Sequence, residues 1–190
     1  MMGFVYDSSL TTQLPRYAWG AIGIVWVLGA LNSKPVVRTG SRVIRMMELC
    51  FLFAAFTLLF HLPPWRELPI PSTVKWVGVI LTFVGVGFAI WARFILGGNW
   101  SASVTVKRDH TLIRRGPYAI VRHPIYTGLL LAALGTAMAF GDLRGFLAPP
   151  LLAFAWRRKS LVEEEFMRTQ FGPAYTAYAA RVKALIPFVW

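Results

Sequence analysis

Five long runs without a charged residue constrain this chain more than any other feature. They cover 17–31, 49–62, 76–92, 124–141 and 145–156 of a 190-residue sequence. A membrane-spanning helix needs about 20 mostly apolar residues, with a range of roughly 17–25. The third and fourth runs approach that length unaided. The first and second reach it by recruiting flanking residues, such as 43–48, and snorkelling arginines. The fifth is short and contains Pro149-Pro150, which predicts a kinked or shallow helix. Only Asp142, Leu143 and Arg144 separate it from the fourth, so those two are expected to form a tight helical hairpin. Composition agrees: 56% of residues are hydrophobic, 15% are charged, and the mean hydropathy is +0.55. Disorder is excluded by that hydrophobicity, and a disulfide scaffold by Cys50 being the only cysteine.

The net charge is +12, with 20 Lys and Arg against 8 Asp and Glu. Such an excess first suggests nucleic acid, and its distribution argues otherwise. Lys34, Arg38, Arg42 and Arg45 lie between the first and second runs. Arg93, Lys107, Arg108, Arg114, Arg115 and Arg122 lie between the third and fourth. Arg157, Arg158, Lys159, Arg168, Arg181 and Lys183 follow the fifth. Sixteen basic residues therefore fall on one side, leaving Arg16, Arg66, Lys75 and Arg144 for the other. By the positive-inside rule the sixteen are cytoplasmic, the N-terminus is outside and the C-terminus cytoplasmic. The expectation is an all-α, polytopic integral membrane protein with about five transmembrane helices, the last two a hairpin, binding membrane lipids and no nucleic acid. Trp19, Trp65, Trp76, Trp100 and Trp156 sit near helix ends, as interfacial belts require. Glycines 78, 85 and 87 in the third run allow close helix packing. The 28–30 segment is a poor signal-peptidase site, so a cleavable leader is not expected.

Residues 1–96 divide from 97–190 by character, the second part carrying the polar and aromatic groups. The 97–123 stretch is long for a connector and holds Asn99, Trp100, His110, Tyr118, Arg122 and His123. It enters the fourth run through Pro124, which suits a helix start, so the free amides of that turn face the cytoplasm. In 157–183, Lys159 and Glu163 are four apart and share a helix face. A Gly172-Pro173 break precedes a second helix over 174–183.

Gly116-Pro117-Tyr118 followed by Val121-Arg122-His123-Pro124-Ile125-Tyr126-Thr127-Gly128 resembles the signature of isoprenylcysteine carboxyl methyltransferases. Glu163-Glu164, Phe171-Gly172, Tyr175, Tyr178, Arg181-Val182 and Ile186-Pro187-Phe188 look like the same family's tail. The resemblance covers roughly residues 91–190. It implies an S-adenosylmethionine-dependent membrane methyltransferase whose cofactor pocket is completed by a cytosolic C-terminal helical segment. Family cofactor contacts fall on His110, Thr111, Leu112, Ile113, Tyr118, His123, Pro124, Ile125, Tyr126 and Glu163, with Glu164 beside it and Ser103 aligning less securely. Arg122, or the amides opening the fourth helix, would take the cofactor's carboxylate. The family's substrate-facing arginine falls on Lys159, a departure that keeps the charge and loses the bidentate fork. Arg158 and Arg181 are the substitutes.

The reaction so implied is methyl transfer to the carboxylate of a prenylcysteine-like lipophilic substrate. Competing readings are a phospholipid-amine N-methyltransferase and a sterol-reductase-like NADPH oxidoreductase. The three histidines and Cys50 show no metal spacing, so no metal is expected. Cys50 reads as a packed core thiol, Glu48 as a partner of Arg45, His61 as structural, and Tyr175 and Tyr178 as packing groups.

Overall fold

A computed structural model describes residues 9–31, 36–39, 42–61, 67–99, 105–107 and 111–187. The framework is helical: α1 (Leu10–Leu31), α2 (Arg42–Phe56), α3 (Ser72–Leu96), α4 (Pro124–Phe140), α5 (Ala148–Phe171) and α6 (Pro173–Arg181). Helix α2 runs directly into a π-helical turn, Thr57–His61. Two short strands, β1 (Val36–Thr39) and β2 (Thr105–Lys107), pair antiparallel. The all-α expectation is corrected to that extent, because the α1–α2 connection and the long segment after α3 join through backbone hydrogen bonds. Helix α3 is long and apolar enough to cross a membrane, and α4 is equally apolar but shorter.

Helices α3 and α4 form the spine. Gly78 and Gly85 of α3 interlock with Gly128 and Gly135 of α4. A Cβ at Gly85 would collide with the Gly128 carbonyl and the Ala132 amide, and one at Gly135 with the Gly78 carbonyl and the Thr82 amide. Backbones this close gain dispersion energy where lipid supplies no hydrophobic drive between helices. Thr82 and Thr136 are fully buried in the seam, and each hydroxyl donates back to its own helix, to Gly78 O and Ala132 O. Trp19 of α1 donates its indole N–H to Thr136 Oγ1 at 2.9 Å, which fastens α1 to the spine. Gly87 faces open space, so of the three glycines expected to pack closely it does not.

Helix α4 ends where Gly141 takes the left-handed conformation, φ 71°, and the chain turns back through the 3-10 segment Leu143–Leu147 into α5. The hairpin is therefore as tight as expected. Pro149 and Pro150 occupy the first turn of α5, where the missing N–H groups cost nothing, so they start the helix rather than kinking it. Helix α5 then continues unbroken through the polar residues to Phe171, merging the fifth run with the charged segment after it. Gly172, φ 51°, separates it from α6.

The core unites α1, α2, α4 and α5 around Trp19, Leu59, Ala133 and Leu152. Trp19 and Trp156 are packed in it, 9% and 3% exposed, and do not form interfacial belts; Trp76 is exposed, and Trp65 and Trp100 lie outside the described residues. Cys50 is exposed, a correction that follows from α2 turning its Ala55 and Leu59 side inward. The outer faces carry large apolar groups, including Ile24, Val27, Phe53, Ile80 and Phe94.

Gly85→Val should destabilise the protein by about 1–3 kcal/mol, the range typical of overpacking. Gly87→Val should leave the thermal midpoint in detergent within error, since nothing lies within 4 Å of its added Cβ. Equal effects of the two substitutions would contradict the glycine seam.

Candidate active site

One end of the fold is held by two consecutive carboxylates on α5 that point to different partners. Glu164 is buried, 3% exposed, and accepts from Arg122 Nη2 at 2.7 Å and Nε at 3.1 Å. It also meets His123 Nε2 at 3.2 Å. The opposite edge of the Arg122 guanidinium donates to the carbonyls of Ala179 and Val182. The backbone continues the junction: Arg122 N–H donates to Lys183 O, His123 N–H to Ala184 O, and Thr127 Oγ1 to Leu185 O. One guanidinium thus ties the start of α4, the extension of α5 and the chain's tail together.

Glu163 turns the other way, into a cavity. It accepts from the Tyr126 hydroxyl at 2.7 Å and lies 3.4 Å from His123 Nδ1. His123 therefore stands between two carboxylates, and only an imidazolium donates from both ring nitrogens. Burial alone pushes His123 down, but hydrogen bonds and charge from Glu163 and Glu164 outweigh it and hold the pKa above its ordinary value. Burial likewise opposes ionisation of both acids. His123 and Arg122 overcome it for Glu164, held at about 2, and His123 and Lys159 bring Glu163 below the usual range.

The cavity encloses about 540 Å³, within the ordinary range for small-molecule sites. One end is polar and aromatic, lined by Thr111, Leu112, Ile113, Tyr118, His123, Glu163, Tyr175 and Tyr178. The other is apolar, lined by Ile22, Trp26, Leu49, Leu52, Phe56, Leu129 and Trp156. A column of rings connects them. His123 stacks on Tyr126, and Tyr126 on Trp156, with centroids 5.6 Å apart in both pairs. Lys159 Nζ lies 5.6 Å from the Tyr126 ring centre. Tyr178 closes the wall of the polar end by donating its hydroxyl to Tyr118 O at 2.6 Å, and burial pushes its own pKa up to about 12.

Of the candidates from sequence, the structure brings Thr111, Leu112, Ile113, Tyr118, Arg122, His123, Pro124, Ile125, Tyr126, Lys159 and Glu163 to this one cavity. Arg122 reaches its wall, but its hydrogen-bonding edges are engaged by Glu164 and the tail. Glu164 is not part of the lining, because its carboxylate is committed to Arg122 on the far side of α5. Arg158 and Arg181 are exposed and also lie outside it. Ser103 and His110 are outside the described residues, as is the side chain of His61. Glu48 pairs with Lys159 of α5 rather than with Arg45, because the α2–α5 contact brings the two buried side chains face to face. Sequence reasoning missed Glu48 as a cavity residue; its one signal was an acid at the edge of an apolar run.

The chain is similar to several known proteins. The family model described as phospholipid methyltransferase matches residues 73–174. A rice protein named "Probable protein-S-isoprenylcysteine O-methyltransferase" (Oryza sativa subsp. indica) is 29% identical over 172 residues, covering 88% of this chain and 90% of its own. The protein-S-isoprenylcysteine O-methyltransferase of Schizosaccharomyces pombe is 35% identical over 96 residues, 49% of this chain and 41% of that protein. A solved eukaryotic intramembrane Ras methyltransferase, an isoprenylcysteine carboxyl methyltransferase, shares the fold. Its TM-score is 0.54 at 20% identity, covering 97% of this chain and 70% of that one.

Stability should be greatest between pH 4.5 and 6.5 as far as these groups decide it. The Glu164 contribution is complete above its ordinary 4.5 and is lost as pH falls toward about 2. The His123 contribution is complete below its ordinary 6.5 and is lost as pH rises through the elevated value. Thermal midpoints measured from pH 3 to 9 check this on the order of one-unit steps. His123→Asn should flatten the alkaline limb, and a limb that survives it unchanged assigns the titration elsewhere. Arg122→Met removes the nearest of three cations around Glu164, leaving His123 and Arg168, together with the ties to the tail, and should cost up to about 3–5 kcal/mol.

Proposed function

The chain belongs to the phospholipid methyltransferase family, among the isoprenylcysteine carboxyl methyltransferases, and from that membership we propose that it methylates the carboxylate of a prenylcysteine-like lipid with S-adenosylmethionine as donor. The observation that carries this reading is the two-ended cavity, with an ionised, partnered carboxylate among aromatic faces at one end and an apolar chamber at the other.

The donor set at the polar end suits the cofactor. Glu163 is held ionised and aimed into the cavity, ready to take an ammonium group. The ring of Tyr118 suits a sulfonium, since aromatic rings attract cations desolvated against them, and Tyr126, stacked between His123 and Trp156, holds Glu163 in place through its hydroxyl. Thr111, Leu112 and Ile113 line the same end, and Ser103, His110, Pro124 and Ile125 complete the proposed set. With Arg122 engaged by Glu164 and the tail, a cofactor carboxylate falls to the amides that open α4. When bound, S-adenosylmethionine supplies an electrophilic methyl group on a sulfonium.

The protein's own part is positioning. An acceptor carboxylate is already ionised at pH 7, so no general base is required. Lys159, buried at the junction of the two ends, orients that carboxylate toward the aromatic end. The ring column of His123, Tyr126 and Trp156 excludes water along the boundary, which favours transfer between fixed groups. The apolar chamber between α1, α2, α4 and α5 takes the lipid tail. In the proposed topology the protein spans the membrane with its N-terminus outside and its C-terminus and active site cytoplasmic. That puts Glu163 and the surrounding basic residues in reach of a soluble cofactor.

Tritiated-methyl transfer from S-adenosylmethionine to N-acetyl-S-farnesylcysteine tests the reaction, with a phospholipid amine and NADPH oxidation as the competing assays. Glu163→Gln should remove calorimetric binding of S-adenosylhomocysteine by at least about tenfold, the equivalent of 1.4 kcal/mol. Lys159→Ala should raise the acceptor KM more than it weakens that binding, and Lys159→Arg should rescue it. Loss of both kinds of binding together in Lys159→Ala would sink this division of labour.

A further inference from the structure

An acceptor carboxylate arriving at Lys159 meets an ammonium that already holds one. Glu48 of α2 forms an ion pair with Lys159 across the helix interface, and both side chains are largely buried, 11% and 7% exposed. Both line the cavity, at the boundary between its polar and apolar ends. Two carboxylates sharing one buried cation repel each other, and the repulsion is strong where water is scarce. Binding therefore requires a second place for the Glu48 charge. Arg45 provides it. It lies three residues earlier on α2, on the face that neighbours Glu48, and it lines the same cavity.

We propose that Glu48 is the acceptor-specificity residue, a resident carboxylate that occupies Lys159 until a substrate carboxylate displaces it onto Arg45. The inference rests on the methyltransferase reading above and deepens it by fixing the charge of the acceptor. Arg45, Glu48 and Lys159 together carry one positive charge in excess, which a single anionic headgroup neutralises. An amine headgroup finds no carboxylate left for it there, since Glu48 holds Lys159 and Glu163 is the proposed partner of the cofactor's own ammonium.

The exchange makes two variants move the acceptor KM in opposite directions. With full-length protein in detergent, S-adenosylmethionine and N-acetyl-S-farnesylcysteine, Glu48→Gln removes the competing carboxylate and should lower the acceptor KM by about three- to tenfold. Arg45→Gln removes the charge that receives Glu48 and should raise that KM by a similar factor. In the Glu48→Gln background Arg45→Gln should change it little, a coupling that a merely structural role of either residue does not produce. Calorimetry with S-adenosylhomocysteine reports in each variant that the cofactor end is intact. A higher acceptor KM in a Glu48→Gln protein that still binds S-adenosylhomocysteine overturns the proposal, as do additive effects of the two substitutions. Should Glu48→Gln fail to fold, Arg45→Gln alone decides, and an unchanged acceptor KM overturns it. Wild-type protein that methylates a phospholipid amine but not the prenylcysteine carboxylate, and loses that activity in Glu48→Gln, would overturn the functional reading itself and make Glu48 a base.

Discussion

The ionised pair between Arg122 and Glu164 is the interaction on which the rest of the polar end of the structure depends. A buried carboxylate is costly unless a cation and further hydrogen bonds compensate it. Glu164 obtains that compensation only where α5 extends past its apolar part to lie against the start of α4. Arg122 in turn spends its other edge on carbonyls of the returning tail. Satisfying one acid therefore fixes three segments distant in sequence. Glu163, its neighbour, is then directed toward the cavity, since adjacent helical positions lie about 100° apart.

The glycine seam between α3 and α4 plays the complementary role within the apolar region. Because these two backbones approach so closely, there is no room between them for a ligand. The space for one is displaced to the other side of α4, where α1, α2 and α5 meet it through large side chains. Trp19, Phe56 and Phe60 close that space at its far end with edge-on and stacked contacts. The cavity is thus bounded by the glycine-seamed spine on one flank and by aromatic packing on another, which leaves an apolar chamber beside the helix that positions His123 and Tyr126.

The sequence made some of this architecture legible and concealed the rest for identifiable reasons. Uncharged runs marked the apolar helices because burial in an apolar phase forbids charge along a whole segment, and the signature around His123 marked the polar end of the cavity. The partner of Glu48 was not legible: Lys159 lies 111 residues away, and no periodicity links two positions on different helices. Arg45, one turn away, was the nearest basic residue by local reasoning, and tertiary packing overrode it. The same limit hid the β1–β2 ribbon, whose strands are too short to show alternation. Pro149-Pro150 misled in a different way. Proline disrupts a helix interior and favours a first turn, and the choice depends on where the preceding turn ends, which Gly141 and the 3-10 segment decide.

Charges here are placed by a single physical rule, that an ion close to an apolar phase persists only with a partner, and the consequences reach from topology to chemistry. On the exposed surface, arginines such as Arg158 and Arg181 need no protein partner, and they stay out of the cavity. At its rim each buried ion is matched: Glu164 with Arg122, Glu163 with His123 and Tyr126, Lys159 with Glu48. The first match builds the fold, because the same guanidinium that holds Glu164 also holds the carbonyls of Ala179 and Val182. The last is different in kind. Arg45 stands within one helical turn of Glu48 and lines the same cavity, so the acid of this pair has a second cation to which it can turn. A buried pair with an alternative partner is one that a ligand can open at low cost, and it lies where the polar and apolar halves of the cavity meet.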